Sequence, residues 1–412
     1  MILVARQGAA AQASLATLAV VACLLGAPAP APATSLDTPN NVDTGIRRSQ
    51  CYRTGSDAMT ACGATDIPGQ DGQLGRDTYK GTNGSADGAL GFSFGRICNN
   101  GDRAGHGSCP ALPVVGYGDG DWGCVEDRLT GMMMEVKALD GWRSRDLRYT
   151  NYSPHFDPLG QYGSPTDAKG FEDAVNAAGL CGHDDWELGH SDKIQAPVDY
   201  GVEAVGAARA DARYFPTLQA DWYWNASLNP SSVSTAFALD FADGAVSNDA
   251  NRGTRRYVQV VRNAKPAIGP HGRYEYSPDG SEVRDTTRNA KLTWRRCAEG
   301  MAWDGTTCTG MPTTFTHEQA LLHAAEVAAT TGVAWRVPSV KELDWLVRRD
   351  MSSPAITHDA FPRTPPVATW TSTPEVRNPS TAWVIDFSVG LVAAHARDEA
   401  LVLRLARDTA GN

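Results

Sequence analysis

An internal repeat constrains the fold of this chain more than any other feature of its sequence. The strings FPTLQADWYWNAS and STAFALDFADGAV, from Phe215 and Ser234, recur 146 residues downstream as FPRTPPVATWTST and STAWVIDFSVGLV. The segments around Trp186 and Trp335 also correspond, with a separation of 149 residues. A chain of 412 residues has room for two such units and for additional segments.

The repeats divide the chain into five parts. Within each repeat the hydrophobic periodicity predicts a strand, a helix, a short strand, a second helix and three strands. In the second repeat, Thr316 with Gln319 and Ser339 with Glu342 form capping boxes that predict where both helices begin. We predict a signal peptide (1–33), a Gly- and Asp-rich leader stapled by disulfides (34–115), a divergent repeat 1 (116–263), a linker (264–280) and repeat 2 (281–412).

The N-terminus predicts export. Arg6 precedes an apolar run from Leu15 to Gly26, and the small residues that follow suit cleavage near Ala33. Lipid attachment at Cys23 is the less favoured alternative, because two leucines and an Ala-Pro run follow it directly. No later segment is long and apolar enough to span a membrane. The periplasm, the cell surface and the outside of the cell all remain open as destinations.

Eight cysteines remain after the signal region, and an even number in an exported chain predicts disulfides. Three neighbouring pairs share a spacing of 11 residues, which leaves the fourth pair to close a longer loop. Zinc binding is the rival interpretation, but the chain has no CxxC knuckle. The predicted disulfides are Cys51–Cys62, Cys98–Cys109, Cys297–Cys308 and Cys124–Cys181.

Charge and motifs exclude several classes of function. The formal net charge is −10 and the pI is about 5.4, so the sequence offers no basic surface for nucleic acid or for an anionic membrane. It contains no GxSxG, P-loop or dinucleotide fingerprint, and HEQALLH from His317 is not HExxH. We therefore expect a protein without catalytic activity.

The repeats resemble a known family. VNAAGLCGHDDW, VDYG, WYWNAS and FALDFADGAV in repeat 1, and WRRCAEGMAWDGTTCTG and WRVPSVKELDWLV in repeat 2, resemble the Lcl C-terminal domain family. The resemblance covers about residues 50–407. It implies an exported bacterial protein with an α+β fold: two repeats similar to C-type lectins, each with two helices packed on a small twisted antiparallel sheet. The family is named for a collagen-like adhesin that recognises host sugars, so the implied activity is binding, and no catalytic residues are carried over.

Repeat 1 departs from the pattern of this family at one ion pair. Arg336 and Glu342 of repeat 2 correspond to Glu187 and Lys193 of repeat 1, which reverses the signs of the two charges. The helix cap at Ser339 is replaced by His190, a change that costs about 1 kcal/mol in typical measurements. The sequence therefore predicts a displaced or shortened second helix in repeat 1.

Two aspartates and four aromatic residues are candidate ligand contacts. Asp240 and Asp386 occupy the same repeat position before a Gly turn, where a carboxylate can bind a polar ligand or calcium, or simply accept backbone hydrogen bonds. Trp222 shares a strand face with Trp224, and its counterpart in repeat 2 is Ala368, so it is a candidate for an exposed sugar platform. Three tyrosines lie in a Pro- and Gly-rich loop that could contact a ligand or fold over its own sheet: Tyr149, Tyr152 and Tyr162.

Three hypotheses about function follow. The first is an exported binding protein that recognises a glycan or another surface polymer, with neutral sugars or calcium-bridged ligands favoured by the acidic balance. The second is a structural component of the envelope that binds other proteins. The third is an enzyme on a lectin-like fold, for which no catalytic set is visible. Calcium is the one cofactor that the sequence suggests, and the oligomeric state is left undetermined.

Overall fold

The computed structural model of the protein describes residues 43–78, 86–88, 91–263, 273–286 and 292–408. The predicted signal peptide, with Cys23, lies outside these residues, as do residues 264–272 of the predicted linker.

Strands dominate the described part of the chain. Repeat 1 and the leader contain β1 (Cys51–Arg53), β2 (Ser56–Thr60), β3 (Phe94–Cys98), β4 (Trp122–Asp127), β5 (Met132–Glu135), β6 (Glu187–Leu188), β7 (Trp222–Leu228), β8 (Thr235–Asp240), β9 (Val246–Asn251), β10 (Tyr257–Val258) and β11 (Val260–Asn263). The remaining strands are β12 (Tyr274–Tyr276), β13 (Glu282–Asp285), β14 (Leu292–Arg295), β15 (Ala302–Trp303), β16 (Cys308–Thr309), β17 (Thr314–Phe315), β18 (Ala368–Pro374), β19 (Thr381–Asp386), β20 (Leu391–Ala396), β21 (Leu401–Val402) and β22 (Ala406–Asp408). The α-helices are α1 (Asp71–Leu74), α2 (Ala168–Ala178), α3 (Ser191–Ile194), α4 (His317–Thr331) and α5 (Val340–Asp344).

Each repeat builds a small antiparallel sheet of the same design. In repeat 1 the strand order is β3-β4-β5-β11-β6, and in repeat 2 it is β12-β13-β14-β22. A single bridge between Arg336 and Ala406 takes the place of β6 in repeat 2. The first strand of each sheet comes from outside the predicted repeat, because β3 lies in the predicted leader and β12 in the predicted linker.

The remaining strands of both repeats form one nine-stranded sheet. Its order is β10-β7-β8-β9-β20-β19-β18-β21-β17, so the second half repeats the strands of the first half in reverse. The two halves meet where Val246 of β9 pairs with Val392 of β20, which is its own counterpart in the other repeat. One apolar core extends beneath both halves and contains Phe237, Leu239, Trp383 and Ile385.

The two long helices cover the outer parts of the nine-stranded sheet. The buried residues of α2 share an apolar cluster with Trp224 of β7, and those of α4 share one with Trp370 of β18. Both indoles donate to a backbone carbonyl at an equivalent place: Trp224 Nε1 lies 2.8 Å from Tyr149 O, and Trp370 Nε1 lies 2.7 Å from Phe315 O. Helix α4 begins after Thr316 with the predicted capping box and ends at Gly332.

The leader joins both repeats at a buried polar junction. Lys341 of repeat 2 is buried, and its Nζ donates to Asp43 O of the leader at 2.7 Å and to Ala196 O of repeat 1 at 2.9 Å. The Asp71 carboxylate of the leader accepts from Thr44 Oγ1 at 2.9 Å and from Thr373 Oγ1 of repeat 2. The leader is therefore an integral part of the fold.

All four predicted disulfides are confirmed: Cys51–Cys62, Cys98–Cys109, Cys124–Cys181 and Cys297–Cys308. Two repeats with a small antiparallel sheet each agree with the prediction, but further strands of both repeats also pair into one extended sheet that was not predicted. The molecule is rich in strands and has few helices. Each repeat on its own would expose the unpaired backbone groups of an edge strand. Pairing of β9 with β20 joins these two edges, which explains why the repeats share one sheet.

Both repeats contain the predicted ion pair, with the positions of the acidic and basic residues exchanged between them. Arg336 pairs with Glu342 at 2.7 Å in repeat 2, where both side chains are buried. Lys193 pairs with Glu187 in repeat 1, where the Glu187 side chain is 46% exposed. The predicted second helix of repeat 1 is a single turn, α3, and no side chain caps its N-terminus at His190.

The two pairs should differ in their contribution to stability. Glu342→Gln keeps the shape of the side chain but removes one of the two carboxylates that pair with buried Arg336, the other being Asp408 at 2.9 Å, so we expect the free energy of unfolding to fall by about 2 kcal/mol. Lys193→Met in the pair whose carboxylate is half-exposed should cost less, about 1 kcal/mol. Urea denaturation of both variants measures the difference, and equal losses would contradict the contrast in burial.

Burial raises the pKa of Asp71 to about 7, above its ordinary value of 3.8. Because the folded state holds this proton more tightly than the unfolded chain, the contribution of Asp71 to stability is complete below pH 4 and is lost as the pH rises to 7. Asp71→Asn removes this loss, so the variant should gain roughly 2 kcal/mol on wild type between pH 5 and pH 7.

Thermal or urea unfolding across that pH range measures the gain. Asp146→Asn, at a side chain that is 73% exposed, is the matched control and should leave the pH profile unchanged. A constant difference between Asp71→Asn and wild type across the range would show that Asp71 is ionised throughout.

Candidate functional site

Asp240 and Asp386 hold equivalent turns in the two repeats. The Asp240 carboxylate accepts from Ala242 N at 2.8 Å, and the Asp386 carboxylate accepts from Ser388 N at 2.8 Å. Gly244 ends the first turn with a φ of +91°, a backbone conformation that residues other than glycine rarely adopt. Both carboxylates therefore have a structural role in their turns, and both residues are only half-buried.

Trp222 and Asp240 come together at the same end of the nine-stranded sheet. They lie directly opposite each other in the register of β7 and β8. Trp222 is half-buried, whereas Trp224 on the same strand is fully buried. Asp221 accepts from the backbone N–H of Trp222 at 2.7 Å. The start of β7 thus has one partly exposed indole, with Asp240 opposite it and Asp221 directly before it in the chain.

Two arginines complete this set of side chains. The Arg256 guanidinium lies 5.2 Å from the ring centroid of Trp222 and 5.4 Å from that of Trp224, within the range of a cation–π interaction. Arg148 donates to the Asp221 carboxylate at 2.8 Å and lies over the ring of Tyr257 at 4.5 Å. Tyr257 is buried and packs on Tyr223, so its ring, with Arg148 over it, lies on the opposite face of the sheet from Trp222 and Trp224. We call the six residues around the start of β7, which are Arg148, Asp221, Trp222, Asp240, Arg256 and Tyr257, the Trp222 patch.

Burial changes the titration of the charged groups in the Trp222 patch. It raises the pKa of Asp240, and the neighbouring carboxylates of Asp243 and Asp221 act in the same direction. Burial also lowers the pKa of Arg256. Three carboxylates oppose this shift by raising the pKa, and Asp221 has the largest effect among them. Closely spaced donors and acceptors beside an aromatic face can bind a ligand that carries both an apolar face and many hydroxyl groups.

Repeat 2 lacks the Trp222 patch at the equivalent positions. The strand registers equate Trp222 with Ala368, Asp221 with Val367 and Arg256 with Leu401. The same registers equate Arg148 with Thr314 and Tyr257 with Val402, so of the six residues only Asp240 has a matching residue, Asp386. The shared aspartate supports the turn, and the five other residues distinguish repeat 1.

The three loop tyrosines do not form one surface. Tyr149 and Tyr152 are buried, with 3% and 5% of their surface exposed, so neither ring can offer a face to a ligand. Tyr149 packs against Phe171 of α2, with ring centroids 4.9 Å apart. Tyr162 is exposed in a loop whose backbone donates to Asp157. The interpretation that the loop folds over its own sheet therefore applies to Tyr149 and Tyr152.

The sequence singled out Trp222 and Asp240 but missed Arg148, Asp221, Arg256 and Tyr257. Asp221 is the neighbour of Trp222 in the sequence, whereas Arg148, Arg256 and Tyr257 come from two other segments that only the pairing of strands brings to the start of β7. The signal that could have found them is the comparison of the two repeats, because each position carries a polar or aromatic residue in repeat 1 and a small or apolar one in repeat 2.

Among the described residues, no group of three or more His, Cys, Asp or Glu side chains has an arrangement that could hold a metal ion. Within the same ranges, no helix has the length and apolar character needed to cross a membrane.

The fold and the Trp222 patch define a disulfide-bonded, strand-rich protein with two fused repeats, one of which carries a polar–aromatic surface. The Lcl C-terminal domain family model matches residues 123–262 and 282–407, and the chain belongs to this family as a tandem of two such domains. Neither a curated protein nor a solved structure matches the chain.

Proposed function

We propose that the protein is an exported binding protein without catalytic activity that uses the Trp222 patch to bind a glycan or a similar surface polymer. The observation that carries this proposal is the difference between the repeats. Five residues of the patch give way to small or apolar residues on the same strands of repeat 2. A purely structural role would not require a different set of residues at equivalent places in one scaffold.

The chemistry of the patch favours a neutral, hydroxyl-rich ligand. A half-exposed indole offers an apolar face on which a sugar ring can stack. Carboxylates and guanidinium groups around it provide acceptors and donors for hydroxyl groups. The overall charge of −10 disfavours sulfated glycans, which need clusters of Lys and Arg.

The disulfides and the family resemblance support the two other parts of the proposal, export and sugar binding. Four disulfides are compatible with an oxidising compartment outside the cytoplasm, which agrees with the predicted signal peptide at 1–33. The similarity to C-type lectins comes from the family resemblance and supports sugar binding by analogy. The periplasm, the cell surface and the outside of the cell are all consistent with these features.

A glycan array with the mature, disulfide-bonded protein tests the proposal. We expect selective binding to one class of neutral sugar, and we expect Trp222→Ala to weaken that binding at least tenfold because it removes the stacking face. The thermal midpoint of the variant should stay within a few degrees of wild type, since Trp222 is only half-buried. A blank array with correctly folded protein would favour protein assembly in the envelope instead.

The equivalent aspartates provide the matched control. Asp240→Asn and Asp386→Asn should lower stability by similar amounts, because each carboxylate holds the same turn, but only Asp240→Asn should weaken sugar binding. Equal losses of binding would remove the distinction between the repeats. The array is run with calcium and with chelator, and sensitivity to chelator would support the calcium-bridged mode of binding suggested by the sequence.

A further inference from the structure

Three side chains of the Trp222 patch form a row on one face of the nine-stranded sheet. Trp222 of β7 lies directly opposite Asp240 of β8. On the other side of β7, Val258 of β10 pairs with Trp224. Arg256 comes two residues before Val258, so it lies beside Trp222 and on the same face of the sheet. The order across this face is therefore Asp240, Trp222, Arg256.

The guanidinium of Arg256 has donors that the protein leaves without acceptors. Its Nε is buried and has no hydrogen-bond partner among the described residues. Over the same ranges its two Nη groups make neither a hydrogen bond nor an ion pair, and unlike Nε they are not buried. The Nη groups are therefore the part of Arg256 that can meet an acceptor on a ligand.

The neighbouring carboxylates narrow the choice of that acceptor. Asp221, Asp249 and Asp240 attract the Arg256 guanidinium through their charge, but none of them forms an ion pair with it in the described part of the chain. Asp221 pairs with Arg148 instead, at 2.8 Å. An anionic group on a ligand would be repelled by the carboxylates around Arg256, so the acceptor should be neutral.

Asp240 offers an acceptor on the other side of Trp222. One of its carboxylate oxygens accepts from Ala242 N, and the other accepts from none of the described residues. A ligand group above the exposed part of the indole therefore meets a donor on one side and an acceptor on the other. A single hydroxyl group is too small to reach both, because two strand spacings, roughly 10 Å, separate the backbones that carry Asp240 and Arg256.

A secondary amide fits this row of side chains. In a trans amide the carbonyl and the N–H point in opposite directions, so the carbonyl can accept from Arg256 while the N–H donates to Asp240. An acetamido group adds a methyl group that can pack on the half-buried Trp222. Among neutral sugars the N-acetylated hexosamines carry this group, and the parent hexoses carry a hydroxyl group in its place.

We propose that the Trp222 patch selects N-acetylated hexosamines over the parent hexoses, and that Arg256 and Asp240 determine this specificity. The acetamido carbonyl accepts from an Nη group of Arg256, the amide N–H donates to Asp240, and the methyl group packs on Trp222. This inference rests on the proposed function, because it names the class of sugar that the same patch binds.

The glycan array tests this inference when each N-acetylated hexosamine is printed beside its matched sugars. N-acetylglucosamine, N-acetylgalactosamine and N-acetylmannosamine are each compared with the parent hexose, with the free amine and with the corresponding uronic acid. We expect the mature wild-type protein to bind at least one acetamido sugar about tenfold more tightly than its three counterparts. A lost hydrogen bond to a charged group weakens binding by roughly that factor.

The outcomes distinguish this inference from the proposed function. Parent hexoses that bind as tightly as the acetamido sugars would overturn the inference and leave the proposed function standing. Tighter binding of a uronic acid would also overturn it, because Arg256 would then accept a carboxylate as its partner. A blank array with correctly folded protein would remove the proposed function and this inference together.

Arg256→Met separates specificity from stability. Methionine keeps an apolar side chain beside the two indoles but offers no donor. The affinity for the acetamido sugar should therefore fall to within about threefold of that for the parent hexose, while the affinity for the hexose itself changes by no more than about twofold. An equal loss for both sugars would mean that Arg256 only maintains the shape of the patch, and would overturn its role in specificity.

Arg255→Met is the matched control, because Arg255 is the preceding residue and its side chain is exposed. It should leave the affinities for both sugars within about twofold of wild type, since it removes the same charge without touching the row of side chains. The comparison of sugars on the wild-type protein keeps the test valid if Arg256→Met impairs folding.

Discussion

One buried ammonium group joins the three parts of this fold. Lys341 of repeat 2 reaches backbone carbonyls of the leader and of repeat 1, and its Nζ lies 4.7 Å from the centroid of the Phe92 ring. Burial lowers its pKa to about 8, so the group keeps its charge near neutral pH only because acceptors and several aspartates surround it. Separating any one of the three parts would leave this charge without its partners, which makes the junction the constraint on which the rest depends.

The shared junction and the shared sheet explain how two copies of one pattern can take different roles. Val246 and Val392, counterparts in the two repeats, pair at the centre of the nine-stranded sheet, and buried Arg209 reaches Glu375 across the same interface. The start of β7 lies away from this interface, so its residues can differ from those of β18 without disturbing the core. Repeat 2 then supports the fold, while repeat 1 carries the Trp222 patch.

The sequence predicted the local features and missed the long-range ones. Equal cysteine spacings predicted three disulfides and left Cys124–Cys181 as the fourth, and the capping boxes at Thr316 and Ser339 predicted the starts of both helices of repeat 2. Pairing between β9 and β20 could not be predicted, because register between distant strands leaves no local signal. The burial of Tyr149 was equally hidden, since its position depends on contact with α2. Trp222 was found because its counterpart, Ala368, breaks the match between the repeats.

The central claim is that the leader and both repeats fold as one cooperative unit around the junction at Lys341. A calorimetric scan of the mature chain with its disulfides intact tests this claim most directly. A single transition is predicted, with equal calorimetric and van't Hoff enthalpies. Two separate transitions, or unfolding of one repeat while the other keeps its structure, would contradict it.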